Sequence, residues 1–154
     1  MATAYIGIGT NIGNRLDNIK NAVSSLELLP NTKVLKTSKI YETDPWGYEN
    51  QECFLNAAVK VETCLSSHCL LGACLGIEAA MGRIRSIKNG PRIIDLDLLF
   101  FDDEIQNSDE LILPHPRIFE RAFVLVPLFD VLNNEKVSAA LKKIDKSGVR
   151  EYKI

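Results

Sequence analysis

The pattern of apolar and polar residues along the chain predicts an α+β fold. Apolar or alternating runs bounded by turn residues predict strands, and apolar residues at helical spacing predict helices. The predicted strands cover residues 4–9, 33–41, 54–62 and 93–101, and the predicted helices lie within residues 16–26, 66–81 and 117–131. The order of the first six elements, βαββαβ, is that of a ferredoxin-like sheet-and-helix sandwich, to which the sequence adds a C-terminal helix.

Two predicted connections are longer than a compact domain needs. They cover residues 43–53 and 83–92, and long loops in a compact domain often carry function. In the third helix, Pro127 is expected to bend or end the helix because it has no N–H to donate. We expect a single domain over residues 1–154, with a charged tail at 133–154 for which the pattern predicts only one short helix, over 137–144.

The last predicted strand combines an apolar pattern with two carboxylates. Alternation places Ile94, Leu96, Leu98 and Phe100 on an apolar face, and Ile93, Asp95, Asp97, Leu99 and Phe101 on the other. Residues two apart on a strand lie about 6.5 Å apart, so the charges of Asp95 and Asp97 require a neutralising partner. Mg²⁺ fits because it prefers carboxylate oxygen and substrate phosphates. The alternative is an ion pair with Arg92 on a solvated edge strand.

The loop before this strand favours the metal. It carries only basic charges, at Arg83, Arg85, Lys88 and Arg92. Phosphoryl transfer uses such cations to neutralise the phosphate oxygens that metal ions leave exposed. No P-loop triplet Gly-Lys-Ser/Thr occurs, and the glycines at 7, 9 and 13 lack dinucleotide-binding spacing, so we interpret them as close-packing and turn positions. The sequence therefore predicts a Mg²⁺–nucleotide enzyme without a P-loop.

Composition limits the range of partners and compartments. Hydrophobic residues make up 46% and charged residues 25% of the 154, and the net charge of −2 gives no argument for binding nucleic acid or a membrane. No apolar run reaches the roughly 18 residues of a membrane span, and the N-terminus has no signal-like region. The four cysteines lack zinc-site spacing and are expected to be free and mostly buried. We therefore expect a cytoplasmic protein that is a monomer and acts on small-molecule substrates.

Several longer motifs resemble one enzyme family. They are Gly-Arg-Ile-Arg at 82–85, Gly-Pro-Arg-Ile-Ile-Asp-Leu-Asp-Leu-Leu at 90–99, Leu-Pro-His-Pro-Arg at 113–117, Tyr-Glu-Thr-Asp-Pro-Trp-Gly at 41–47, Phe-Leu-Asn-Ala-Ala at 54–58 and Arg-x-Phe-Val-Leu-x-Pro-Leu at 121–128. Together they resemble the 6-hydroxymethyl-7,8-dihydropterin pyrophosphokinases, from the N-terminal strand to about residue 130. The resemblance implies a ferredoxin-like enzyme of folate biosynthesis that transfers pyrophosphate from ATP to the hydroxymethyl group of the reduced pterin, releasing AMP.

The resemblance also implies a role for each matching residue. Two Mg²⁺ ions would be bound by Asp95 and Asp97, and one of this pair is a candidate for deprotonating the pterin hydroxyl. The catalytic group would comprise Arg83, Arg92 and Asp97. The nucleotide side would comprise Glu78, Arg85, Arg92, His115 and Arg121. The pterin would contact Thr43, the backbone near Trp46, Phe54, Asn56 and Phe123. This sequence departs from the family pattern at Asn89, Glu110, Ile112 and Pro116. These departures affect the expectation of how ATP is held.

Purely structural roles remain open for some of these residues, and so do other functions. Phe54 and Phe123 are core residues by burial statistics alone, although an amide such as Asn56 on the same strand face needs a hydrogen-bond partner. His115 is structural as often as functional. Two other functions use the same features: a metal-dependent phosphohydrolase that activates water, and a ferredoxin-like module that binds a small effector without turnover.

Overall fold

The computed structural model describes residues 1–84 and 89–154, and its core is one antiparallel sheet. The elements in chain order are β1 (Ala2–Thr10), α1 (Arg15–Glu27), β2 (Thr32–Thr37), β3 (Tyr41–Thr43), β4 (Phe54–Thr63), α2 (Ser67–Ala80), β5 (Asp95–Phe101), β6 (Gln106–Asn107), β7 (Ile112–Leu113), a 3₁₀ turn (Ile118–Glu120), α3 (Ala122–Val131), α4 (Glu135–Lys143) and β8 (Val149–Glu151). Within the described ranges, no helix is long and apolar enough to cross a membrane.

The sheet order confirms the predicted fold class. The strands follow the order β5-β1-β4-β3-β8, and β2 pairs with the other end of β4. β1 lies between β4 and β5 and is antiparallel to both. With β2 and β3 counted as one broken strand, this is the order that a ferredoxin-like βαββαβ chain gives, in which β5 is an edge strand.

The predicted strand over residues 33–41 is interrupted in the structure. The pairing of β2 with β4 changes register between Val34 and Lys36. Beyond β2, the Ser38 side chain takes the place of a backbone carbonyl as hydrogen-bond acceptor. Its Oγ accepts from the Ala58 N–H at 2.8 Å. The break separates β2 from β3 and leaves β3 beside the long loop that follows it.

Helices cover both faces of the sheet. On one face, Ile6 and Ile8 of β1 pack in a core cluster with Ile19 of α1 and Leu70 of α2. On the other face, α3 and α4 close a second, smaller cluster that contains Leu99, Leu125, Leu128 and Val137. The second face is not covered along its whole length, and the uncovered end carries Asp95, Thr43 and Asn56, which line a cavity.

A register shift in β5 corrects the predicted strand faces. Leu98 pairs with Ile6 but Phe100 pairs with Tyr5, so Leu99 is an extra residue in the ladder. Such a bulge moves the residues after it to the opposite face. Phe101 therefore joins the first cluster with Leu98, whereas Phe100 packs beside Leu99 in the second cluster. The prediction was right for Ile94, Leu96 and Leu98, which precede the bulge and lie in the first cluster. It was wrong for the two phenylalanines and for Ile93, which precedes β5 and also packs against the first cluster.

The C-terminal part contains more structure than the sequence predicts. The helix α3 does not end at Pro127 but continues to Val131, since its Leu125 and Leu128 side chains are fully buried and hold it on the sheet. The short tail helix is confirmed as α4, whose first turn is capped by the Asn134 side chain accepting from the Val137 N–H at 2.9 Å. The strand β8 was not predicted.

The cysteines are free, but the expectation that they are mostly buried was wrong. Cys74 alone of the four is buried, Cys53 is intermediate, and Cys64 and Cys69 are exposed. Cys64 follows the end of β4, and Cys69 lies in the first turn of α2, on a different face from Cys74. Burial raises the pKa of the Cys74 thiol to about 12.

Candidate active site

Two concave regions meet at the start of β5. The inner cavity is lined by Gly9, Thr43, Asp44, Trp46, Phe54, Asn56, Asn89, Arg92, Asp95, Arg121 and Phe123. The outer groove is more open and follows the edge of β5 between α2 and residues 109–116. Asp95 lines both regions. A molecule in the cavity and a molecule in the groove can therefore approach each other across this carboxylate.

The floor of the inner cavity is a buried polar pair. Asn56 on β4 is opposite Gly9 on β1 and beside Tyr41 on β3. Its Nδ2 donates to Thr43 Oγ1 at 2.6 Å, and both side chains are buried. A Cβ atom on Gly9 would lie 2.8 Å from Asn56 Oδ1, so glycine is needed at this position. The fixed amide can both donate and accept a hydrogen bond at the cavity floor.

Aromatic side chains and arginines form the walls. The Arg92 guanidinium lies 5.5 Å from the centre of the Phe54 ring, and Arg121 lies 5.6 Å from that of Phe123. Trp46 has two such neighbours, Arg121 at 4.6 Å and Arg117 at 5.7 Å. Phe54 and Phe123 are only half-buried and belong to neither core cluster. The core-packing alternative for these two residues therefore does not describe the structure.

The two carboxylates of β5 have opposite electrostatic environments. Burial, together with the charges of Asp95 and Glu78, raises the pKa of Asp97 to about 7. Burial also acts to raise the pKa of Asp95, but Arg92 and Arg83 outweigh it, so the net shift of that pKa is downward. Asp95 is thus an anion with two cationic partners, whereas Asp97 is a carboxyl that binds a proton near neutral pH.

Two arginines from the basic loop hold Asp95. Arg83 donates from Nη1 to Asp95 Oδ1 at 2.5 Å and to Glu78 Oε2 at 2.9 Å. Arg92 donates from Nη1 to Asp95 Oδ2 at 3.2 Å. Glu78 also accepts from the Leu96 N–H at 2.7 Å, which fixes α2 to the exposed edge of β5. The ion pair between Arg92 and Asp95, which is the alternative to a metal, is therefore present, together with an ion pair between Arg83 and Asp95.

The outer groove contains a neutral histidine. Burial and the charges of Arg121 and Arg117 lower the pKa of His115. Its Nδ1 accepts from the Arg117 N–H at 3.3 Å, so the ring proton is on Nε2 and is available for donation. The Nε atoms of Arg83 and Arg121 are buried without a hydrogen-bond partner in the part of the chain that the structure describes. Donors without partners are suited to anionic oxygens.

The structure brings most of the predicted site residues together. The five residues assigned to the pterin all line the inner cavity, with Arg92 and Arg121 beside them. Glu78 and His115 line the outer groove with Asp97. The prediction for Arg85 lies outside the described residues. The departures Glu110, Ile112 and Pro116 also line the outer groove, and Asn89 lines the cavity.

Several residues around the site received no role from the sequence. Asn11 is buried: its Oδ1 accepts from the Arg92 N–H at 2.9 Å, and its Nδ2 donates to Gln51 Oε1 and to the Glu52 carbonyl, both at 2.9 Å. It thereby joins the two long loops. Asp44 also lines the cavity, and its position between Thr43 and Trp46 in the 41–47 motif was the signal that could have identified it.

The fold is α+β, and its paired carboxylates and arginines separate a small cavity from an open groove. These features define a phosphotransferase that binds its nucleotide without a P-loop. Comparison with known proteins narrows this class. A family model described as 7,8-dihydro-6-hydroxymethylpterin-pyrophosphokinase matches residues 5–133. The chain belongs to this family, and pyrophosphate transfer from ATP to hydroxymethyldihydropterin in folate biosynthesis, predicted from the sequence, is confirmed as its function.

Two relatives match over almost their whole length. The chain is 45% identical to the 2-amino-4-hydroxy-6-hydroxymethyldihydropteridine pyrophosphokinase of Methylorubrum extorquens, covering 97% of this chain and 98% of the relative. It is 44% identical to the protein of the same name from Bacillus subtilis, covering 97% and 90%. Whole-length similarity of this size supports a common fold and a common arrangement of elements.

Solved structures agree on the fold. The wild-type HPPK-DHPS of Plasmodium falciparum, crystallised with pterin and p-hydroxybenzoate, matches with a TM-score of 0.69 at 17% identity over 97% of this chain. A second HPPK-DHPS structure, a complex with substrates, matches with a TM-score of 0.67 at 16% identity over 92% of this chain. The chain spans 45% and 43% of these two longer proteins.

Proposed function

We propose that the pterin occupies the inner cavity and ATP the outer groove, and that pyrophosphate passes between them at the carboxylates of β5. The observation that carries this proposal is that Asp95 lines both regions. Transfer requires the acceptor oxygen and the phosphorus to be about 3–3.5 Å apart before reaction. Two substrate sites that share one carboxylate satisfy this requirement without a large rearrangement of the sheet.

The inner cavity has the chemistry of a pterin site. The pterin ring is flat and carries hydrogen-bonding groups along one edge. Phe54 and Phe123 would pack on its two faces, where offset stacking contributes about 0.5–1.5 kcal/mol beyond burial. The amide of Asn56, held by Thr43, would bind the edge that carries donors and acceptors. Trp46 and the backbone beside it would cover the remaining side.

The carboxylates are suited to Mg²⁺, of which we propose two ions. No group of three His, Cys, Asp or Glu side chains within residues 1–84 and 89–154 forms a complete metal cluster. Mg²⁺ does not need one, because one or two carboxylates and substrate phosphates commonly hold it. The crowding that raises the pKa of Asp97 to about 7 is relieved by a cation. Bound by Asp95 and Asp97, Mg²⁺ would neutralise charge on the phosphates.

The arginines would bind the phosphate oxygens. Arg83 and Arg92 are paired with Asp95 in this structure, and a phosphate chain offers them a stronger bidentate partner. The unpartnered Nε atoms of Arg83 and Arg121 and the Nε2 proton of His115 are further donors to the nucleotide side. Glu78 would act by holding Arg83 and β5 in place. A role for Arg85 on the nucleotide side rests on the motif alone.

The chemical step follows from these positions. The hydroxymethyl oxygen of the pterin attacks the β-phosphorus of ATP, the new O–P bond forms as the α–β bridging bond breaks, and AMP leaves. One of the two carboxylates, Asp95 or Asp97, would accept the hydroxyl proton, because both belong to the strand where the two proposed substrate sites meet. Arg92 and Arg83 stabilise the charge on the transferred oxygens, and such a preorganised donor contributes about 3–4 kcal/mol in other enzymes.

A reconstituted assay tests the proposed reaction. The protein is incubated with ATP, Mg²⁺ and 6-hydroxymethyl-7,8-dihydropterin, and AMP is separated and measured. We expect AMP only when all three are present, and none from an Asp95→Asn/Asp97→Asn variant. Release of phosphate from ATP without the pterin would indicate a phosphohydrolase instead. Binding of the pterin that is independent of Mg²⁺, without turnover, would indicate a binding module.

The cellular setting remains part of the proposal. The four free thiols support a cytoplasmic protein, since reducing compartments keep cysteines unpaired. We also propose that a monomer carries out the reaction on its two small-molecule substrates.

A further inference from the structure

The C-terminal strand lies next to the inner cavity, although it is outside the family match, which ends at residue 133. β8 pairs with β3, and Arg150 is the partner of Glu42 in this ladder. The Asp44 N–H donates to the Gly148 carbonyl at 2.9 Å, and the Tyr152 N–H donates to the Ile40 carbonyl at 2.8 Å. These bonds extend the sheet beyond β3. They place the last residues of the chain beside the first residue of the 44–53 loop.

Arg150 contacts both ends of that loop. Its Nη1 donates to Asp44 Oδ1 at 3.0 Å, and its Nη2 lies 3.6 Å from Cys53 Sγ. Asp44 is the first residue of the loop and Cys53 is the last. The same guanidinium donates from Nη2 to Glu42 Oε1 at 3.2 Å. One side chain therefore connects β3, the start of the loop and its end.

A second arginine reinforces this arrangement from the other side. Arg15 at the start of α1 donates from Nη1 to Glu42 Oε2 at 2.9 Å and to the Cys53 carbonyl at 3.0 Å. The hydrogen bond from Arg15 is the largest cause that lowers the pKa of Glu42, and the hydrogen bond from Arg150 lowers it further. Arg15 also lies 5.7 Å from the centre of the Tyr152 ring. Glu42 is thus an anion shared by two arginines that both reach Cys53.

The residues joined in this way flank the walls of the inner cavity. Thr43 lies between Glu42 and Asp44, and Phe54 follows Cys53 directly. Thr43, Asp44 and Phe54 all line the cavity. A shift of either loop end would move the hydroxyl that holds Asn56 or the ring that packs on the substrate.

We propose that Arg150 is a positioning residue for the pterin site, which fixes the 44–53 loop by binding Glu42, Asp44 and Cys53 at the same time. This inference rests on the proposed function, because it assumes that the pterin occupies the inner cavity. It assigns the C-terminal strand to substrate binding, although no atom of that strand lines the cavity. Arg150 itself does not touch the substrate and acts only through the residues that it holds.

The test is a comparison of three variants in the AMP assay. Arg150→Ala should raise the KM for the pterin by about fivefold, as expected when a solvent-exposed ion-pair network that orders a loop is removed, and leave the KM for ATP within about twofold. Arg150→Lys keeps the charge and one partner, so it should recover part of the loss. Lys153→Ala removes a neighbouring cation whose Nζ contacts Glu151 at 2.9 Å and not the loop, so it should match the unmodified protein.

A second readout follows the loop directly. Thiol labelling of Cys53, measured peptide by peptide with mass spectrometry, should be faster in Arg150→Ala than in Lys153→Ala. An unchanged pterin KM, or equal increases in both KM values, would overturn the inference, as would an unchanged labelling rate. If Arg150→Ala does not fold, the same two measurements on Arg150→Lys decide. Failure of the proposed function is distinct, since the unmodified protein would then form no pterin-dependent AMP.

Discussion

Gly9 and Asn56 lie directly opposite each other on β1 and β4, and a Cβ atom at position 9 would lie 2.8 Å from Asn56 Oδ1. The backbone of β1 thus approaches the amide more closely than a side chain at position 9 would allow. Because Asn56 is held on its other side by Thr43 at 2.6 Å, it has no room to move away while keeping that hydrogen bond. The absence of a side chain on Gly9 is therefore part of the cavity floor.

The first prediction concerns this contact. Gly9→Ala should displace the Asn56 amide and weaken pterin affinity by about tenfold, the loss of roughly one hydrogen bond, while ATP affinity stays unchanged. Equilibrium titration with each ligand measures both. Gly76→Ala is the matched control, since a Cβ there meets no atom within 4 Å, and it should leave both affinities unchanged. Equal weakening of both ligands in Gly9→Ala would point to general misfolding.

The second prediction concerns Arg92. This side chain is 3.2 Å from Asp95 and lies over the Phe54 ring, so it is next to both proposed substrates. Since its charge should matter most in the transition state, Arg92→Ala should lower kcat by about a hundredfold or more and weaken ATP binding much less. Steady-state kinetics and ATP titration separate the two effects. Equal losses in kcat and in ATP affinity would show that Arg92 only binds the nucleotide.

The third prediction uses the pKa of Asp97. Because that pKa is raised to about 7 in the folded protein and is about 3.9 in an unfolded chain, the folded state holds a proton that the unfolded state has lost. The contribution of Asp97 to the free energy of unfolding therefore becomes more unfavourable as pH rises from about 4 to 7, and it stays constant above pH 7. Removing the charge should stabilise the protein in the upper part of this range.

Asp97→Asn should accordingly be inactive but more stable than the unmodified protein at pH 8, by about 2 kcal/mol, which is less than the full pKa shift implies because solvent reaches the site. Thermal melts in the presence of a chelator measure the difference, which should shrink toward pH 4. Asp103→Asn, which changes an exposed carboxyl after β5, is the control variant. A stability difference that does not vary with pH would contradict the prediction.

The fourth prediction concerns the cavity wall. Phe123→Ala removes a half-buried ring and should weaken pterin affinity by about tenfold or more, from the loss of stacking and burial, with little effect on ATP. Phe119→Ala provides a comparison, since this ring packs at the edge of the second core cluster, away from the cavity. If both variants weaken pterin binding equally, Phe123 acts through the stability of α3 and not through the ligand.

Short-range patterns sufficed for the strands and helices that build the site. The alternation of Asp95 and Asp97 with Leu96 and Leu98 correctly separates a polar from an apolar face, because this part of β5 has a regular register. The bulge at Leu99 is not visible in that pattern, since it depends on which residue of β1 pairs with which residue of β5. The two phenylalanines after the bulge were therefore placed on the wrong faces.

The long-range contacts were not accessible from local patterns. Asn11, Gln51 and Arg92 meet because the two long loops and the residue after β1 lie at the same end of the sheet, although they are far apart in sequence. β8 is only three residues long and mostly polar, so no apolar pattern marks its pairing with β3. Family motifs gave residues that line the inner cavity and the outer groove, but they gave no information on β8, which pairs with β3 next to the 44–53 loop.

The shared position of Asp95 has a stereochemical consequence. The acceptor oxygen would approach the β-phosphorus from the inner cavity, while the departing oxygen of AMP would lie in the outer groove, on the opposite side. A single displacement between two such regions inverts the configuration at phosphorus. Retention would instead require two successive displacements on a side-chain nucleophile positioned between the substrates, and we assign the carboxylates at that position, Asp95 and Asp97, to Mg²⁺.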